Sequence, residues 1–578
     1  MLPKDIDPIT FEVVRNAFDS LVDEMALTVM RTAQSGVVKD AMDYATVFCD
    51  REGRVIAQGL TVVQMVNVFP DAIASILEHY PEDIAPGDVF IANDPYGSGG
   101  SHLPDVYIMR PVFVDGEMDG FSGVTAHQAD IGGLVPGSNS TNSTEIYQEG
   151  LRIPTVKLYE AGVPNETMFG LIEHNVRVPK TVLGDMRAQI AATTVGERTY
   201  RMLAERYGKS ELHRYTDAII EYSEAMVRAE ISDLPDGTYR FSDHIDGDGI
   251  ESGTVVIRVA VTIASDSVTV DFEGSSPQAK AGINSVLTFT KSATFGAIRM
   301  VIDPTIPNSA GCYSPIEVRA PLGSVVNPRL PGAVGARGVT GYRIVDSVLG
   351  ALSQAVPDRV PAEGEGGNTI ISIGGYSENF EPFAFVDLFA GARGGGPLGD
   401  GVEGVSHPAV NISNTPVEIA EVEMPVRFER YSIEQNTGGP GKHRGALAQV
   451  RQVQCLAKEA VLQIRSDKRK YPPYGLHGGK PGSPSWNILN PGDGESVLPT
   501  MGTTDMKRGD VLRHMMAGGG GWGDPLERDP EAVEADIRDE KVTIDHALSA
   551  YGVVIDPETR CVDLAATAAE RKERGAGT

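Results

Sequence analysis

The chain contains the stretch Asn93-Asp94-Pro95-Tyr96-Gly97-Ser98-Gly99-Gly100-Ser101-His102-Leu103-Pro104-Asp105 and, further on, Thr125-Ala126-His127-Gln128-Ala129-Asp130-Ile131-Gly132-Gly133. Each stretch carries a histidine with an aspartate three residues later, and each lies among glycines beside an apolar run with β character. Imidazole and carboxylate groups together form the ligand set of hydrolytic metal sites, and they suit Zn²⁺, Mn²⁺ or Fe²⁺. Only 11 of the 578 residues are histidines, so this clustering calls for an explanation.

The spacing of apolar residues around these stretches predicts the elements that carry them. Apolar residues recur at helical spacing from Asp7 to about Ala33. The pattern further predicts a hairpin over Asp43 to Leu60 and a short helix over Pro70 to Tyr80. It also predicts three strands, over Asp88 to Ala92, Val106 to Val114 and Gly120 to Ala126. Both His-x-x-Asp segments then lie at strand ends, where rigid elements hold ligands at an open cleft.

The rest of the chain changes character several times. Lys180 to about Ala229 is strongly helical, Gly237 to about Phe272 alternates apolar and polar residues, and a mixed, Gly-punctuated stretch runs to about Ala420. A second β-rich region covers Glu421 to about Arg513, and Glu531 to Tyr551 forms a small helical unit. A chain of 578 residues is too long for one core. These patterns predict an α+β, multi-domain protein.

Four domains follow from these changes. They are an N-terminal α+β metal-binding domain (1–235), a central mixed α/β domain (236–420), a β-rich domain (421–525) and a C-terminal helical segment (526–578). The C-terminal half is therefore expected to be rich in β structure and to end in a small helical unit.

Composition excludes several classes of partner. The net charge of −29 argues against nucleic acid and anionic membranes. No apolar stretch of about 20 residues could span a bilayer, and the first residues contain no apolar signal core. The four cysteines are far apart and form no CxxC pair, which is typical of reduced thiols. A cytoplasmic location is expected.

Four glycine-rich segments are expected to form loops, at residues 364–367, 391–396, 438–441 and 518–523. None is followed by the Lys-Ser/Thr of a phosphate loop or matches a dinucleotide fingerprint, so we expect no nucleotide site in this chain. The glycines are interpreted as turns and close backbone contacts. The alternative is a substrate cleft or subunit interface, in which Arg393 is the best candidate for an anion-facing group.

His102 and His127 differ from His79, His213 and His546, whose helical contexts are better explained by core or surface positions. Both lie in polar, Gly-flanked loops, where burial alone does not explain them. An aspartate three residues on can bind the same ion or hold the histidine in place. No motif such as HExxH is present, so the spacing alone leaves both a metal site and a metal-free polar loop open.

At these residues the chain resembles the hydantoinase B/oxoprolinase family. The resemblance runs over nearly the whole length, through Asp43-Tyr44, Asn93 to Tyr96, His102 to Asp105, His127 to Gly133, Pro136 to Ser138, Gln148 to Pro154, Asn414 to Glu418, Gly438 to Gly441, Gly518 to Pro525 and Glu527 to Pro530. A match of this length is specific for the family and weak for the substrate. Ser101 and Thr437 replace a common Thr and Ser, and Gln128 stands where another His is frequent.

The resemblance implies a site for one or two divalent transition ions, zinc, manganese or iron, with Asp43, His102, Asp105 and His127 as ligands. It brings in Asp43, which spacing does not single out. Asp130 is then expected to hold a ligand in place, to add a ligand, or to take up a proton.

The resemblance also implies a partner. Family members work with an actin-like ATPase of the hydantoinase A type, so this chain should be the β-type half of a hetero-oligomer such as a dimer of heterodimers. ATP is expected on the partner and not on this chain. The implied activity is ATP-dependent hydrolysis of a small cyclic amide: a lactam, a hydantoin or 5-oxoproline. The alternatives are a subunit of an acetone- or acetophenone-type carboxylase and a non-catalytic scaffold that regulates the ATPase.

Overall fold

A computed structural model describes residues 6–59, 65, 68–251, 253–366, 369–492 and 494–575. The helices are α1 (Pro8–Thr32), α2 (Gly36–Lys39), α3 (Phe69–His79), α4 (Glu166–Asn175), α5 (Pro179–Tyr207), α6 (Lys209–Ser232), α7 (Leu287–Arg299), α8 (Gly338–Leu352), α9 (Val417–Glu423), α10 (Pro530–Arg538), α11 (Ile544–Tyr551) and α12 (Leu564–Gly575).

The strands of the first half are β1 (Tyr44–Asp50), β2 (Val55–Gln58), β3 (Val89–Ala92), β4 (Asp105–Val114), β5 (Glu117–His127), β6 (Val156–Glu160), β7 (Val163–Pro164), β8 (Gly237–Ile245), β9 (Val255–Ala264) and β10 (Ser267–Asp271). Those of the second half are β11 (Ile316–Arg319), β12 (Ile370–Tyr376), β13 (Pro382–Leu388), β14 (Gly391–Ala392), β15 (Glu403–Val405), β16 (Val426–Ile433), β17 (Gln449–Cys455), β18 (Glu459–Arg465), β19 (Trp486–Leu489), β20 (Ser496–Leu498), β21 (Met501–Lys507) and β22 (Val511–Met515).

A seven-stranded antiparallel sheet, in the order β2-β1-β5-β4-β3-β6-β7, forms the centre of the N-terminal part. Helices α1 and α5 cover one face of this sheet and α3 packs on the other. Helix α1 forms because its buried residues recur at helical spacing, and Asp7 accepts the Thr10 N–H at 2.8 Å at its start. The predicted helix, hairpin and strands of this region are confirmed, and so is the α+β class.

The helical stretch predicted over Lys180 to Ala229 is two helices, because Gly208 (φ 81°) breaks it between α5 and α6. The end of α6 packs with α7 and α8 against the sheet β11-β10-β9-β8. In β9, alternate residues from Val255 to Ile263 are buried, as the alternating pattern predicts. Helix α8 is entirely buried, which places it at the centre of the molecule.

One sheet has strands on both sides of the domain boundary predicted at residues 420/421, which stays a prediction. Strands β12 and β13 precede it, yet β12 pairs with β18, which follows it, in the sheet β13-β12-β18-β21. This sheet packs against the sheet β16-β17-β22-β19-β20 through a shared apolar core that includes Ile373, Leu462 and Leu512. The other boundaries remain predictions. Pairing between strands so distant in sequence leaves no local signal, which is why composition alone missed it.

The C-terminal helical unit contains α10 and α11, as predicted, and Thr543 accepts the His546 N–H at 3.3 Å at the start of α11. Helix α12 (Leu564–Gly575) follows; it lies within the predicted helical segment 526–578 but beyond the helical unit predicted over Glu531 to Tyr551. No helix among the described residues is both long enough and apolar enough to cross a membrane.

Several extended segments of the chain surround the glycines Gly518 to Gly521. We call the assembly the glycine bundle and these four glycines the glycine bundle core. Gly520 donates its N–H to Glu363 O and accepts that of Gly395, both at 2.8 Å, while Gly519 accepts the N–H of Gly439 at 2.7 Å. A Cβ atom built on any of the four would overlap a carbonyl oxygen of another segment. These glycines therefore make close backbone contacts, as one interpretation of the sequence holds.

Gly520→Ala is expected to destabilise the protein by about 3 kcal/mol or more, because the added methyl would overlap Tyr474 O, a backbone atom held by the bundle. Chemical denaturation followed by circular dichroism measures the change. Gly170→Ala is the control, since Gly170 lies in α4 with open space around it. Equal unfolding midpoints for the two variants would contradict the packing argument.

Candidate metal centre

Three neighbouring strands bring predicted ligands to one end of the N-terminal sheet. Asp105 opens β4 and lies opposite His127, the last residue of β5. Asp43 directly precedes β1, and its carbonyl oxygen accepts the His127 N–H at 3.0 Å. Residues that face each other across an antiparallel pair have their side chains on the same face. Asp105 and His127 therefore project together.

His102 joins them from the loop that precedes β4. The Asp105 N–H donates to His102 O at 3.2 Å, and this turn brings the two side chains together. His102 Nε2 lies 3.1 Å from Asp105 Oδ1, and the rings of His102 and His127 are 5.2 Å apart. One ligand atom from each of the three side chains lies within 4.8 Å of the others, and all three are buried.

Hydrogen bonds fix both imidazoles in one tautomer. His102 Nδ1 lies 2.9 Å from Gly335 O, and His127 Nδ1 lies 3.0 Å from Gln128 O. A carbonyl oxygen can only accept, so Nδ1 carries the proton in each ring and Nε2 keeps a lone pair. Asn139 Nδ2, 3.3 Å away, donates to the lone pair of His127 Nε2.

His102 Nε2 and Asp105 Oδ1 test whether these residues fit a metal. Neither atom has a hydrogen-bond partner in the described chain, although both are buried. At 3.1 Å they set two acceptors against each other, an arrangement that a cation would relieve. Two histidine nitrogens and a carboxylate oxygen form a donor set for Zn²⁺, Mn²⁺ or Fe²⁺. The residues therefore fit a divalent ion.

Asp43 lies in the same cavity without belonging to the compact group of three. Together with His102 and His127 it lines a cavity of about 30 Å³, which is room for a water-sized species. Tyr342 and Arg465 form part of the opposite wall. Three of the four predicted ligands therefore line one cavity, and the fourth, Asp105, lies 3.1 Å from His102.

Arg337 is a neighbour that the sequence did not reveal. It precedes α8, and its Nη2 forms a buried ion pair with Asp105 Oδ2, which also accepts the Ser101 hydroxyl. The guanidinium lies over the Phe289 ring, 4.1 Å from its centroid. Nothing in the sequence around Arg337 sets it apart, and it comes from a distant part of the chain. Oδ1 of Asp105 is left for an ion.

Glu149 supports His102 through the backbone. Its carboxylate accepts the N–H of Val334 at 3.0 Å and of Gly335 at 2.6 Å, and the Gly335 carbonyl in turn fixes His102. Burial raises the pKa of Glu149 to about 8. Its signal in the sequence was the Gln148 to Pro154 motif, which the resemblance included without assigning a role.

The carboxylate of Asp130 is hydrogen-bonded to the loop that follows it and to Arg177. Oδ1 accepts the N–H of Gly132 and Arg177, and Oδ2 accepts that of Gly137 and pairs with the Arg177 guanidinium, all at 2.9–3.2 Å. In the described chain these bonds do not include His102 or His127. They shape the loop that carries Asn139, which does contact His127.

Electrostatics favour metal-binding protonation states for three groups. Burial lowers the pKa of His102 and of His127 below the usual value for histidine, so both are neutral near pH 7, as ligation requires. Burial alone would raise the pKa of Asp105, but Arg337 and the histidines outweigh it and hold that pKa well below its usual range. Burial raises the pKa of Asp43, against the opposing effect of His127.

The chain matches a family model described as hydantoinase B/oxoprolinase over residues 7–525. The putative D-/L-hydantoinase B subunit of Pseudomonas sp. (strain NS671) is 34% identical over 572 residues, covering 96% of each chain. The caprolactamase beta subunit of Pseudomonas jessenii is 31% identical, covering 98% of this chain and 99% of its own.

Solved structures agree in fold. The crystal structure of the ATP-dependent caprolactamase from Pseudomonas jessenii superposes with a TM-score of 0.92 at 31% identity, covering 98% of this chain and 100% of that one. A nucleotide-free acetone carboxylase gives a TM-score of 0.91 at 20% identity, covering 100% of this chain and 84% of that one. At 20% identity the second likeness shows a common fold.

Proposed function

Because the chain belongs to the hydantoinase B/oxoprolinase family, we propose that it is the metal-containing β-type subunit of an ATP-dependent cyclic-amide hydrolase. Its substrate class is a lactam, a hydantoin or 5-oxoproline. The observation that carries the proposal is the buried group of His102, Asp105 and His127, in which two metal-binding atoms lack a hydrogen-bond partner among the described residues. We assign Asp43 to the same site as a further ligand, since it lines the same cavity.

A bound divalent ion, zinc, manganese or iron, supplies Lewis acidity and makes water a better nucleophile near neutral pH. The chain's own residues prepare the site. Gly335 and Gln128 hold the two imidazoles in the ligating tautomer. The cavity is small and lined by buried side chains such as Phe289 and Ile370, which limits the access of water. Whether the site holds one ion or two remains a prediction.

Positive charge in the cavity suits amide hydrolysis. Arg337 and Arg465 both line it, and Arg465 Nη1 donates to Asn139 Oδ1 at 3.2 Å. Water attacks an acyl carbon whose oxygen carries the negatively charged phosphoryl group, and preorganised cationic donors stabilise such charge best where bulk water is absent. Asp130 is proposed to position Asn139 through its loop, while proton uptake by Asp130 remains a prediction.

The proposal includes a partner that binds ATP. An unstrained amide is a poor electrophile, and phosphorylation of its oxygen by an actin-like ATPase of the hydantoinase A type would make that oxygen a leaving group. One relative is the beta subunit of a caprolactamase, and the solved caprolactamase is described as ATP-dependent, which supports this division of labour. The glycines of the bundle core hydrogen-bond to other chain segments, so this chain offers no phosphate loop there. A hetero-oligomer such as a dimer of heterodimers is proposed.

Reconstitution tests the proposal. The chain alone should hydrolyse neither ATP nor a lactam, and mixing it with the ATPase subunit should produce both ADP and ring-opened product. Both products are measured together with caprolactam, N-methylhydantoin and 5-oxoproline as substrates, and the ATPase alone is the control.

Two results would contradict this assignment. One is stoichiometric ATP binding by this chain alone in calorimetry. The other is carboxylated product from a ketone and bicarbonate without lactam turnover, which would favour the carboxylase alternative. A complex that regulates ATP hydrolysis without converting any substrate would favour the scaffold.

A further inference from the structure

A second and larger cavity lies beside the metal centre. It has a volume of about 590 Å³, and we call it the outer chamber; its walls include Asp346, Glu363, Arg393, Leu398 and His407. This volume is in the range of small-molecule sites. Residues of α8 on one side and the glycine-rich segment 391–401 on the other enclose it.

Arg393 in this wall lacks a counter-ion. Its Nε donates to Ser406 O at 3.1 Å, and the guanidinium forms no ion pair with any carboxylate in the described chain. Arg393 is half-buried. Burial lowers the pKa of its guanidinium, and no carboxylate of the described chain offsets this effect. By contrast, the deeply buried Arg343 and Arg444 are paired, Arg343 with Glu363 and Arg444 with Glu403.

An unpaired guanidinium in a half-buried position is unfavourable unless something supplies the missing charge. A carboxylate matches its fork of donors with two parallel hydrogen bonds. Arg393 therefore points to a ligand that carries a carboxylate.

Asp346, in the same wall, favours a positively charged ligand group instead. It is 3% exposed; Oδ1 accepts from His407 Nε2 at 2.9 Å, while Oδ2 has no hydrogen-bond partner in the described chain. His407 Nδ1 accepts the Ala409 N–H at 3.1 Å, which leaves the ring proton on Nε2. Asp358 adds a further acidic group to the wall, whereas the Asp400 carboxylate in the same wall is already paired with Arg528. A simple anion would meet these carboxylates, whereas a ligand that also carries an ammonium group would satisfy them.

The neighbouring Asp243, Asp346 and Glu363 do not form a cation site of their own. Arg343 already binds Asp243 and Glu363, and Lys468 contacts Glu363. The Oδ2 atom of Asp346 accepts no hydrogen bond in the described chain and has Lys468 Nζ at 3.9 Å, and Asp346 also borders the chamber.

The chamber shares a wall with the metal cavity. Along α8, Gly338 and Tyr342 line the metal cavity, and Asp346 and Leu349 line the chamber. Residues three or four apart lie on one helix face, so the two cavities follow each other along α8. The ring of Tyr342 meets that of His407 edge to face at 5.1 Å, and this contact lies between them.

We propose that the outer chamber binds a small amino-carboxylic acid, with Arg393 holding its carboxylate and the acidic wall its ammonium group. The inference rests on the proposed function, because hydrolysis of a cyclic amide yields such a molecule. Water adds its oxygen to the acyl carbon of the phosphorylated amide, the C–N bond breaks, and the nitrogen takes up a proton. A second water then attacks the resulting acyl phosphate, which releases inorganic phosphate and the carboxylate. One product then carries both groups and lies one helix turn from the chamber.

Calorimetric titration of the full chain, without ATP or partner, tests this inference. The probes are 6-aminohexanoate, hexanoate, which lacks the amine, and hexylammonium, which lacks the carboxylate. We expect 6-aminohexanoate to bind at least about tenfold more tightly than either, since each charge-assisted hydrogen bond contributes that much or more. Arg393→Gln should weaken it by at least about tenfold.

Arg359→Gln is the matched control. Arg359 also lines the chamber, but its Nη1 is held by Glu230 Oε2 at 3.3 Å and Val301 O at 3.0 Å. We expect this variant to bind 6-aminohexanoate within about threefold of the wild type. If both variants bound 6-aminohexanoate equally weakly, the affinity would depend on net charge and not on the Arg393 guanidinium. That result would overturn the inference.

Absence of binding, or equal binding of hexanoate and 6-aminohexanoate, would also overturn it. If Arg393→Gln does not fold, phenylglyoxal modification of the wild type, mapped by peptide mass spectrometry, replaces it. Protection of Arg393 by 6-aminohexanoate supports the inference and lack of protection refutes it. A complex that opens lactams while its chamber binds no probe would refute only the chamber. A chamber that binds while the complex opens no cyclic amide would refute only the proposed reaction.

Discussion

His102→Ala should remove most of the metal from the purified protein and lower cyclic-amide turnover with the partner by more than about 100-fold. His102 Nε2 is a buried acceptor that faces Asp105 with no hydrogen-bond partner in the described chain, so the variant loses a ligand. Even residues that only orient a ligand change metal affinity or activity about 10- to 100-fold. Elemental analysis should give about one or two ions per wild-type chain and far fewer in the variant.

The control for this experiment follows from the structure. A helical position such as His213 is a natural choice from sequence, but His213 Nε2 donates to the buried Asp119 at 2.7 Å. His174→Ala is the better control, because His174 is exposed on α4. Circular dichroism verifies that both variants fold. Equal losses of metal and turnover in the two variants, or a metal-free wild type that is fully active with its partner, would show that His102 is not a ligand.

Asp105→Asn should uncouple ATP cleavage from ring opening. The substitution keeps the size of the side chain but removes the anionic ligand, while the ATPase partner keeps its own phosphoryl-transfer groups. We expect ADP to form still and amino-acid product to fall by more than about 100-fold, by the same reasoning as for His102. Side-by-side measurement of ADP and product gives the ratio directly.

Loss of a buried charge beside an arginine has effects of its own, so a matched substitution is needed. Asp536→Asn removes a buried carboxylate that pairs with Arg528 at 2.7 Å in the C-terminal helical unit. This variant should keep the wild-type ratio of product to ADP. A normal ratio at near wild-type rate in Asp105→Asn would exclude Asp105 as a catalytic metal ligand.

Local sequence patterns could reveal the predicted metal ligands that lie at strand ends. His102, Asp105 and His127 were found because polar residues interrupt apolar runs there, and Asp43 came only from the family resemblance. Arg337, Tyr342 and Arg465 line the same cavity. Arg337 lies at the start of α8, Tyr342 within α8 and Arg465 at the end of β18, and neither periodicity nor spacing distinguishes them in the sequence. Asp130 shows the converse: it also stands three residues after a histidine, but its carboxylate bonds to Gly132, Gly137 and Arg177.

The same division holds for the fold. Helix α1 and the hairpin β1–β2 depend on neighbours in sequence, and their patterns predicted them. The pairing of β12 with β18 joins residues on either side of the expected boundary at 420/421, and it depends on contacts that only the folded chain makes. The glycine-rich segments were identified as loops, but their assembly around Gly518 to Gly521 depends on those distant contacts too.

That assembly also sets an order of events in time. Gly520 is bonded to Glu363 and Gly395, and Gly519 to Gly439, so the bundle cannot close until the chain up to Gly521 has left the ribosome. Closing loops of this length costs entropy before any contact repays it, and topologies rich in such contacts fold slowly. The seven-stranded sheet with Asp105 and His127 needs only the first part of the chain and can form much earlier. Arg337 and Arg465 arrive later, so a nascent chain brings the predicted metal ligands Asp105 and His127 together before the neighbouring cavity is complete.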